Sequence, residues 1–258
     1  MTTPASEPAA APALPAWRPL LAIVRYTLRT ALPRRRWYGV LALAAASVLF
    51  GLLSTLDSGL ATEAFASTAT VAHFGLLLPV TSLIVGDGVL GAEVRSGTFA
   101  FTWLTPVPRW QIVVGRWIGG SIVAAAATAV AFAAAAVAGG APEHVVPIAV
   151  AGAFAASAYV AVFILIGVVA RRTAVWSLAF VFLVERLLGA ALSGIAQLSP
   201  AWLGRNAYLD LAEGTGIDPR EGMPAGSGAL ARLVIVTAVV LVLASRRLRS
   251  ISLTGSSD

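Results

Sequence analysis

Long apolar runs alternate with short polar connectors along most of this chain. The runs lie at 37–56, 65–85, 117–137, 145–169, 174–192 and 229–244. A helix needs about 20 residues to cross about 30 Å of hydrocarbon, and the first five runs meet that length. The sixth run is shorter and holds Arg232 near its start, so we expect this side chain to extend toward the membrane interface. The pattern predicts an all-α polytopic membrane protein with six transmembrane helices.

The composition indicates the same class of protein. Of the 258 residues, 58% are hydrophobic and 12% are charged, and the mean hydropathy is +0.86. Soluble domains carry about 25% charged residues, so this chain is too apolar for a water-soluble fold. It contains no cysteine and no lysine, which excludes thiolate metal sites and the phosphate-binding lysine of a P-loop. We therefore expect no catalytic residue, cofactor or metal on this chain.

The segments outside the runs set the domain boundaries. Residues 1–16 are rich in Pro and Ala and predict a disordered tail, 17–250 form a single transmembrane domain, and 251–258 form a second tail. Residues 17–32 mix apolar side chains with arginines, which fits an N-terminal interfacial helix or, alternatively, a plain basic anchor. Residues 197–227 predict a partly helical cap or a re-entrant piece.

The arginines orient the predicted spans, because cytoplasmic loops of membrane proteins are enriched in basic residues. Fourteen of the 18 arginines fall on one side of the six-span pattern, and only Arg186, Arg205, Arg220 and Arg232 fall elsewhere. This asymmetry predicts that both termini are cytoplasmic in a multi-pass protein of the cell membrane. The net charge of +6 then reflects topology, and no nucleic-acid partner is expected.

The connector between the second and third runs is polar and carries two prolines, Pro106 and Pro108. Within it, apolar residues recur at a spacing that would give a helix one apolar side, and the prolines would end that helix. On this evidence alone the connector is either an amphipathic helix at the cytoplasmic interface or an ordinary basic loop.

Two short motifs in this connector resemble the permease subunit of bacterial type II ABC exporters. The first is Glu93-x-x-x-Gly97-Thr98 and the second is the turn Thr105-Pro106-Val107-x-Arg109; Arg116 is similar to a basic residue at the start of that family's third span. The motifs cover about 30 residues, and the six-span pattern resembles the family over the whole chain.

This resemblance implies a cytoplasmic coupling helix that docks on a separate P-loop ATPase subunit, which would bind ATP and Mg. The residues expected at that contact are Glu93, Arg95, Gly97, Thr98, Pro106 and Arg109. It also implies a permease homodimer or heterodimer in membrane lipid, with a pathway between the two permeases. Substrates of the family are hydrophobic drugs, antibiotics, lipids or polysaccharides, and the sequence does not choose among them.

Ionisable residues inside the predicted spans are candidates for a pathway, because such groups are costly in lipid. They are His73 in the second run and Glu185 and Arg186 in the fifth. A neutral His73 bonded to a neighbouring helix is the simpler interpretation. Glu185 and Arg186 point in different directions on a helix and are expected to pair across helices rather than with each other. They either line the pathway or simply mark where the span breaks. The Gly115-x-x-x-Gly119 motif favours close packing within the chain over a dimer contact.

Two other classes of function stay open from the sequence. A membrane anchor or sensor that recruits a cytoplasmic protein through the same connector would show the same pattern of spans. A secondary transporter is less favoured, because only Glu185 and the boundary residue Asp87 offer carboxylates. Intramembrane protease motifs are absent, since His73 and His144 have neither the spacing nor the neighbours that such sites need.

Overall fold

The computed structural model describes residues 17–31, 34–57, 59–91, 107–170 and 172–250. These residues form helices and turns, with no strand among them. The helices are α1 (Trp17–Thr30), α2 (Arg34–Ser54), α3 (Ala61–Val89), α4 (Arg109–Ala138), α5 (Val145–Val169), α6 (Thr173–Ala191), α7 (Ser193–Ala196), α8 (Pro200–Leu211) and α9 (Gly226–Ser250).

Six of these helices are long and apolar enough to cross a membrane, and they confirm the prediction of an all-α, six-span protein. They cover Arg36–Ser54, Ala61–Val89, Arg109–Ala138, Pro142–Val169, Thr173–Ala191 and Gly226–Arg249. The second, third and sixth extend well beyond the apolar runs that predicted them. The third begins directly after Pro108, and the sixth is 24 residues long, so Arg232 lies inside it.

The six spans run alternately up and down, so their ends gather in two groups. One group contains Ala61, Pro142 and Gly226, and we call it the outer end because the arginine distribution predicts that it faces away from the cytoplasm. The opposite group, with Arg36, Arg109 and Arg249, is called the inner end.

Helices α4 and α5 lie at the centre and pack against each other and against most other spans. Small residues bring the helices close together. A Cβ atom at Gly51 of α2 would collide with the Ala135 backbone of α4, and one at Gly152 of α5 would press on Phe132 of α4. Such close contacts supply the dispersion energy that holds helices together in lipid.

The N-terminal helix α1 packs against the inner part of α4. Gly115 faces Leu20 and Ile23, and Gly119, one turn later, faces Thr27 and the Val24 carbonyl. The Gly-x-x-x-Gly motif therefore serves packing within the chain. The position of α1 at a membrane interface stays a prediction.

Two spans depart from regular α-helix. Residues Ala69–Leu77 of α3 and Phe180–Leu188 of α6 are π-helical, a form that widens the turn and often occurs at functional sites. After α6 the chain breaks at the extended residue Leu192 and forms the short α7. Helix α8 then runs from Ser199, beside Glu185, to Tyr208, beside His144 at the outer end. The 197–227 segment is thus partly helical, with its helix inserted among the spans.

Candidate functional site

Glu185 is the most deeply buried carboxylate that the structure describes, with 1% of its surface exposed. It lies in the π-helical stretch of α6. The Tyr159 hydroxyl of α5 donates a hydrogen bond to one carboxylate oxygen, and the Ser199 hydroxyl donates to the other. A buried carboxylate is costly unless hydrogen-bond donors surround it, and these two hydroxyls are such donors.

Ser199 also fixes the start of α8. It is the N-cap residue, and its hydroxyl oxygen accepts a hydrogen bond from the Trp202 backbone N–H at 3.3 Å. The Trp202 indole N–H donates to the Glu185 backbone carbonyl at 3.1 Å. Ser199 and Trp202, at the start of α8, therefore both bind Glu185, so that α5, α6 and α8 meet at this residue.

A cavity of about 580 Å³ opens beside this carboxylate, between α5, α6, α7 and α9. Its wall is apolar except for three polar side chains, Glu185, Ser199 and Arg232. Arg232 also donates to the Gln197 side-chain oxygen at 3.2 Å. Small-molecule sites commonly have about this volume, with mostly apolar walls and a few polar groups that fix orientation. The cavity therefore suits an amphiphile whose polar atoms meet Glu185 and Arg232.

Two other cavities lie between the spans and differ chemically from this one. One of about 520 Å³ lies between α4, α5 and α9, and one of about 370 Å³ lies between α5 and α6. Neither has a charged side chain in its lining. The Glu185 cavity is thus the one of the three with charged side chains in its lining.

The histidines lie away from this cavity. His73 Nε2 donates to the Ser47 carbonyl of α2 at 3.3 Å, and its ring meets Phe132 edge-on at 5.0 Å. His144 bridges Tyr208, with Nδ1 2.7 Å from the hydroxyl, and the Glu213 carbonyl, 2.9 Å from Nε2. Both rings tie helices together, which agrees with the simpler interpretation of His73 as a packing residue.

Arg186 lies on a different face of α6 from the cavity, where its guanidinium covers Gly75 of α3. The two neighbours Glu185 and Arg186 form no salt bridge with each other, although both border a small cleft beside Gly75. Glu185 makes its partners across helices, but they are hydroxyls, whereas Arg186 forms no hydrogen bond or salt bridge with the described residues.

At the inner end, Arg36 forms a salt bridge with Asp87 at 2.9 Å. Arg116 is buried, donates to the Val89 carbonyl at 3.3 Å and lies over the Tyr26 ring, with Cζ 4.8 Å from the centroid. Arg109 is the first residue of α4 and donates to the Arg249 carbonyl at 3.3 Å. The predicted coupling residues Glu93, Arg95, Gly97, Thr98 and Pro106 lie outside the described residues.

Sequence reasoning missed the residues that surround Glu185. Tyr159 lies inside an apolar run with nothing to distinguish it. Ser199 precedes Pro200, which is the pattern of an N-cap followed by proline in the first turn, and this signal could have placed the start of α8.

No protein-family model matches this chain, and no curated protein matches its sequence. The six apolar helices make it a multi-pass membrane protein.

Proposed function

We propose that this chain is the membrane-spanning permease subunit of an ATP-driven type II ABC exporter. It would move a hydrophobic or amphiphilic substrate, of the multidrug or antibiotic kind, across the cytoplasmic membrane, with both termini in the cytoplasm. The observation that supports transport is the 580 Å³ cavity with its buried carboxylate. The motif resemblance around Glu93 and Thr105 supports the coupling to an ATPase.

The geometry favours substrate recognition by burial and orientation together. The apolar wall removes the body of the substrate from lipid or water, and Glu185 and Arg232 meet its polar atoms at different points of the lining. Glu185 accepts hydrogen bonds from two hydroxyls, which hold its carboxylate in place. A donor on the substrate would therefore bind to a preorganised carboxylate.

Helix α6 is the element best suited to move. It contains a π-helical stretch, it ends at the break at Leu192, and much of its surface is exposed. Since α6 forms one wall of the cavity, its displacement from α5 and α9 would change the cavity's access. The driving force would enter through the connector before α4, because α4 packs directly on α5.

A matched pair of cavity substitutions tests the transport role. Val239 and Val234 lie on α9 and are 53% and 54% exposed, but only Val239 lines the Glu185 cavity; Val234 lines the 520 Å³ cavity. In vesicles that contain the chain with its ATPase, Val239→Trp should lower dye efflux at least about fivefold, since the larger side chain occupies part of the space that the dye needs. Val234→Trp should transport like the parent.

The ATPase partner is tested by co-purification. We expect a P-loop ATPase to purify with the chain from detergent and its hydrolysis rate to rise with substrate. Glu93→Arg should weaken this association, because truncating or reversing one member of a buried charge pair costs about 2–5 kcal/mol. A partner whose hydrolysis ignores substrate would favour the anchor or sensor function, and transport without any ATPase would favour a secondary transporter.

A further inference from the structure

A second polar site lies on the other side of α6 from the cavity and shares only Glu185 with its lining. It is a small cleft between α3, α6 and α8, and its lining includes Thr70, Gly75, Arg186, Trp202 and Arg205. Two guanidinium groups therefore enter one cleft from different helices. None of the proposed functions uses this cleft.

The donors of these two arginines are not matched by acceptors. Neither Arg186 nor Arg205 forms a hydrogen bond or salt bridge with the described residues, and the Nε atom of Arg205 is buried without an acceptor. Glu185 also borders the cleft, but its two oxygens already accept from Tyr159 and Ser199. The positive charge in the cleft thus exceeds what the chain itself neutralises.

A third arginine lies next to the cleft, against the Trp202 ring, but has its own acceptors. Arg220 donates to the Gly189 carbonyl at 2.7 Å and to the Ala190 carbonyl at 3.0 Å. Its Cζ lies 4.8 Å from the Trp202 ring centroid, and the Cζ of Arg205 lies 5.2 Å from the same ring. Cation–π contacts of this kind hold a guanidinium in place and leave its N–H groups free to donate.

The depth of the cleft makes unmatched arginines unusual. Thr70 and Gly75 lie roughly 13–21 Å along α3 from its outer end, counting about 1.5 Å per residue, which places the cleft within the span. Arginine at such depth is costly and is retained where it meets a polar partner or water. Gly75 keeps the space open, because a Cβ atom there would collide with the Arg186 guanidinium.

We propose that Arg186 and Arg205 form a binding site for a phosphate group. Guanidinium groups present forked N–H donors that match the oxygens of a phosphate, and such charge-assisted hydrogen bonds are short and strong. The cleft itself encloses only about 30 Å³, the space of about one water molecule. It would therefore take the phosphate oxygens, while the rest of the ligand lies outside, against the exposed Arg186.

The phosphate could come from a lipid headgroup or from a free anion, and the experiment separates them. The purified full chain would be titrated with inorganic phosphate in lipid-free detergent by calorimetry. In a second arm, native mass spectrometry would count bound phosphatidylglycerol, with diacylglycerol as the phosphate-free comparison. Binding of phosphate alone would identify a free anion, and binding of phosphatidylglycerol alone would identify a headgroup.

Three variants decide whether the arginines are responsible. Arg186→Gln and Arg205→Gln should each weaken binding at least about tenfold, the loss expected from a charge-assisted hydrogen bond. Arg246→Gln is the control, because Arg246 is exposed at the inner end and lies far along the chain from the cleft. Circular dichroism and gel filtration would show that each variant is folded.

The proposal is overturned if the parent chain binds neither ligand more tightly than a double variant that carries both Arg186→Gln and Arg205→Gln. It is also overturned if the two variants bind like the parent, or if they lose only self-association. The last result would mean that Arg186 meets a carboxylate of a second copy instead of a phosphate.

Discussion

Two arginines at the inner end of this bundle and two in the cleft between α3, α6 and α8 are treated differently by the fold. At the inner end, Arg36 pairs with Asp87, and Arg116 donates to the Val89 carbonyl while it covers the Tyr26 ring. In the cleft toward the outer end, Arg186 and Arg205 have no such acceptors among the described residues. A buried charge with its partners in place holds structure together, whereas a charge held in place without an acceptor is suited to meet one from outside the chain.

The largest expected effect tests which end of the bundle faces the cytoplasm. A cysteine at Asp210, near the end of α8, should react with a membrane-impermeant maleimide added outside the cell. A cysteine at Arg247, at the inner end, should react only after the membrane is opened. The reason is the arginine asymmetry, and the chain has no native cysteine to interfere. Labelling of Asp210→Cys only from the cytoplasmic side would reverse the two ends.

The next largest effect is a difference in stability between variants of Arg116, which has acceptors within the chain, and of Arg186, which has none among the described residues. Arg116→Gln is expected to lower the free energy of unfolding by about 2 kcal/mol, because it removes a charged hydrogen bond and a cation–π contact from a buried site. Arg186→Gln should change it by less than about 0.5 kcal/mol, since an exposed side chain without partners loses little. The measurement is thermal or denaturant unfolding of both variants in one detergent.

Equal losses of stability in these two variants would contradict the comparison, because Arg186 would then have a structural acceptor. Arg172 is an exposed arginine in the turn between α5 and α6, and Arg172→Gln is the control variant for both substitutions.

Sequence and structure agree on the spans because hydrophobic length is a local property, and each run of about 20 apolar residues carries its own signal. The site is different, since it depends on contacts between distant segments. Glu185 could be singled out as a costly intramembrane charge, but its partner Ser199 lies beyond the break at Leu192. The return of α8 among the spans depends on that break, which no periodic pattern marks.

That Glu185 and Arg186 do not pair with each other could be predicted in part. Neighbouring residues on a helix point in different directions, so partners on other helices were expected. That Arg186 would cover Gly75 could not be foreseen, because it depends on how closely α3 approaches α6. The same limit applies to the inner pair of Arg36 and Asp87, which lie 51 residues apart.

A side chain at Gly75 should close the cleft between α3, α6 and α8 while leaving the fold intact. In Gly75→Val the new atoms would displace the flexible end of Arg186, which can turn away, so we expect a stability loss below about 1 kcal/mol and a phosphate affinity lowered several-fold. Gly51→Val is the matched control. Its side chain would collide with the Ala135 backbone, which cannot turn away, and stability should fall by more than about 2 kcal/mol. Unfolding and phosphate titration would be measured on both variants.

The smallest effect on phosphate affinity is expected at Trp202, which touches both Glu185 and the arginine cleft. Trp202→Phe removes the 3.1 Å hydrogen bond to the Glu185 carbonyl but keeps an aromatic face for Arg205 and Arg220. The lost bond is worth about 1 kcal/mol of stability, and a phenyl ring attracts a guanidinium less strongly than an indole. Phosphate affinity should therefore fall only about two- to threefold, which is the part of the binding that Trp202 provides by holding Arg205. Trp202→Leu, which has no aromatic face, should lower the affinity further. If Trp202→Leu binds phosphate as tightly as the parent, Arg205 is held in place by some other contact and the ring has no part in the site.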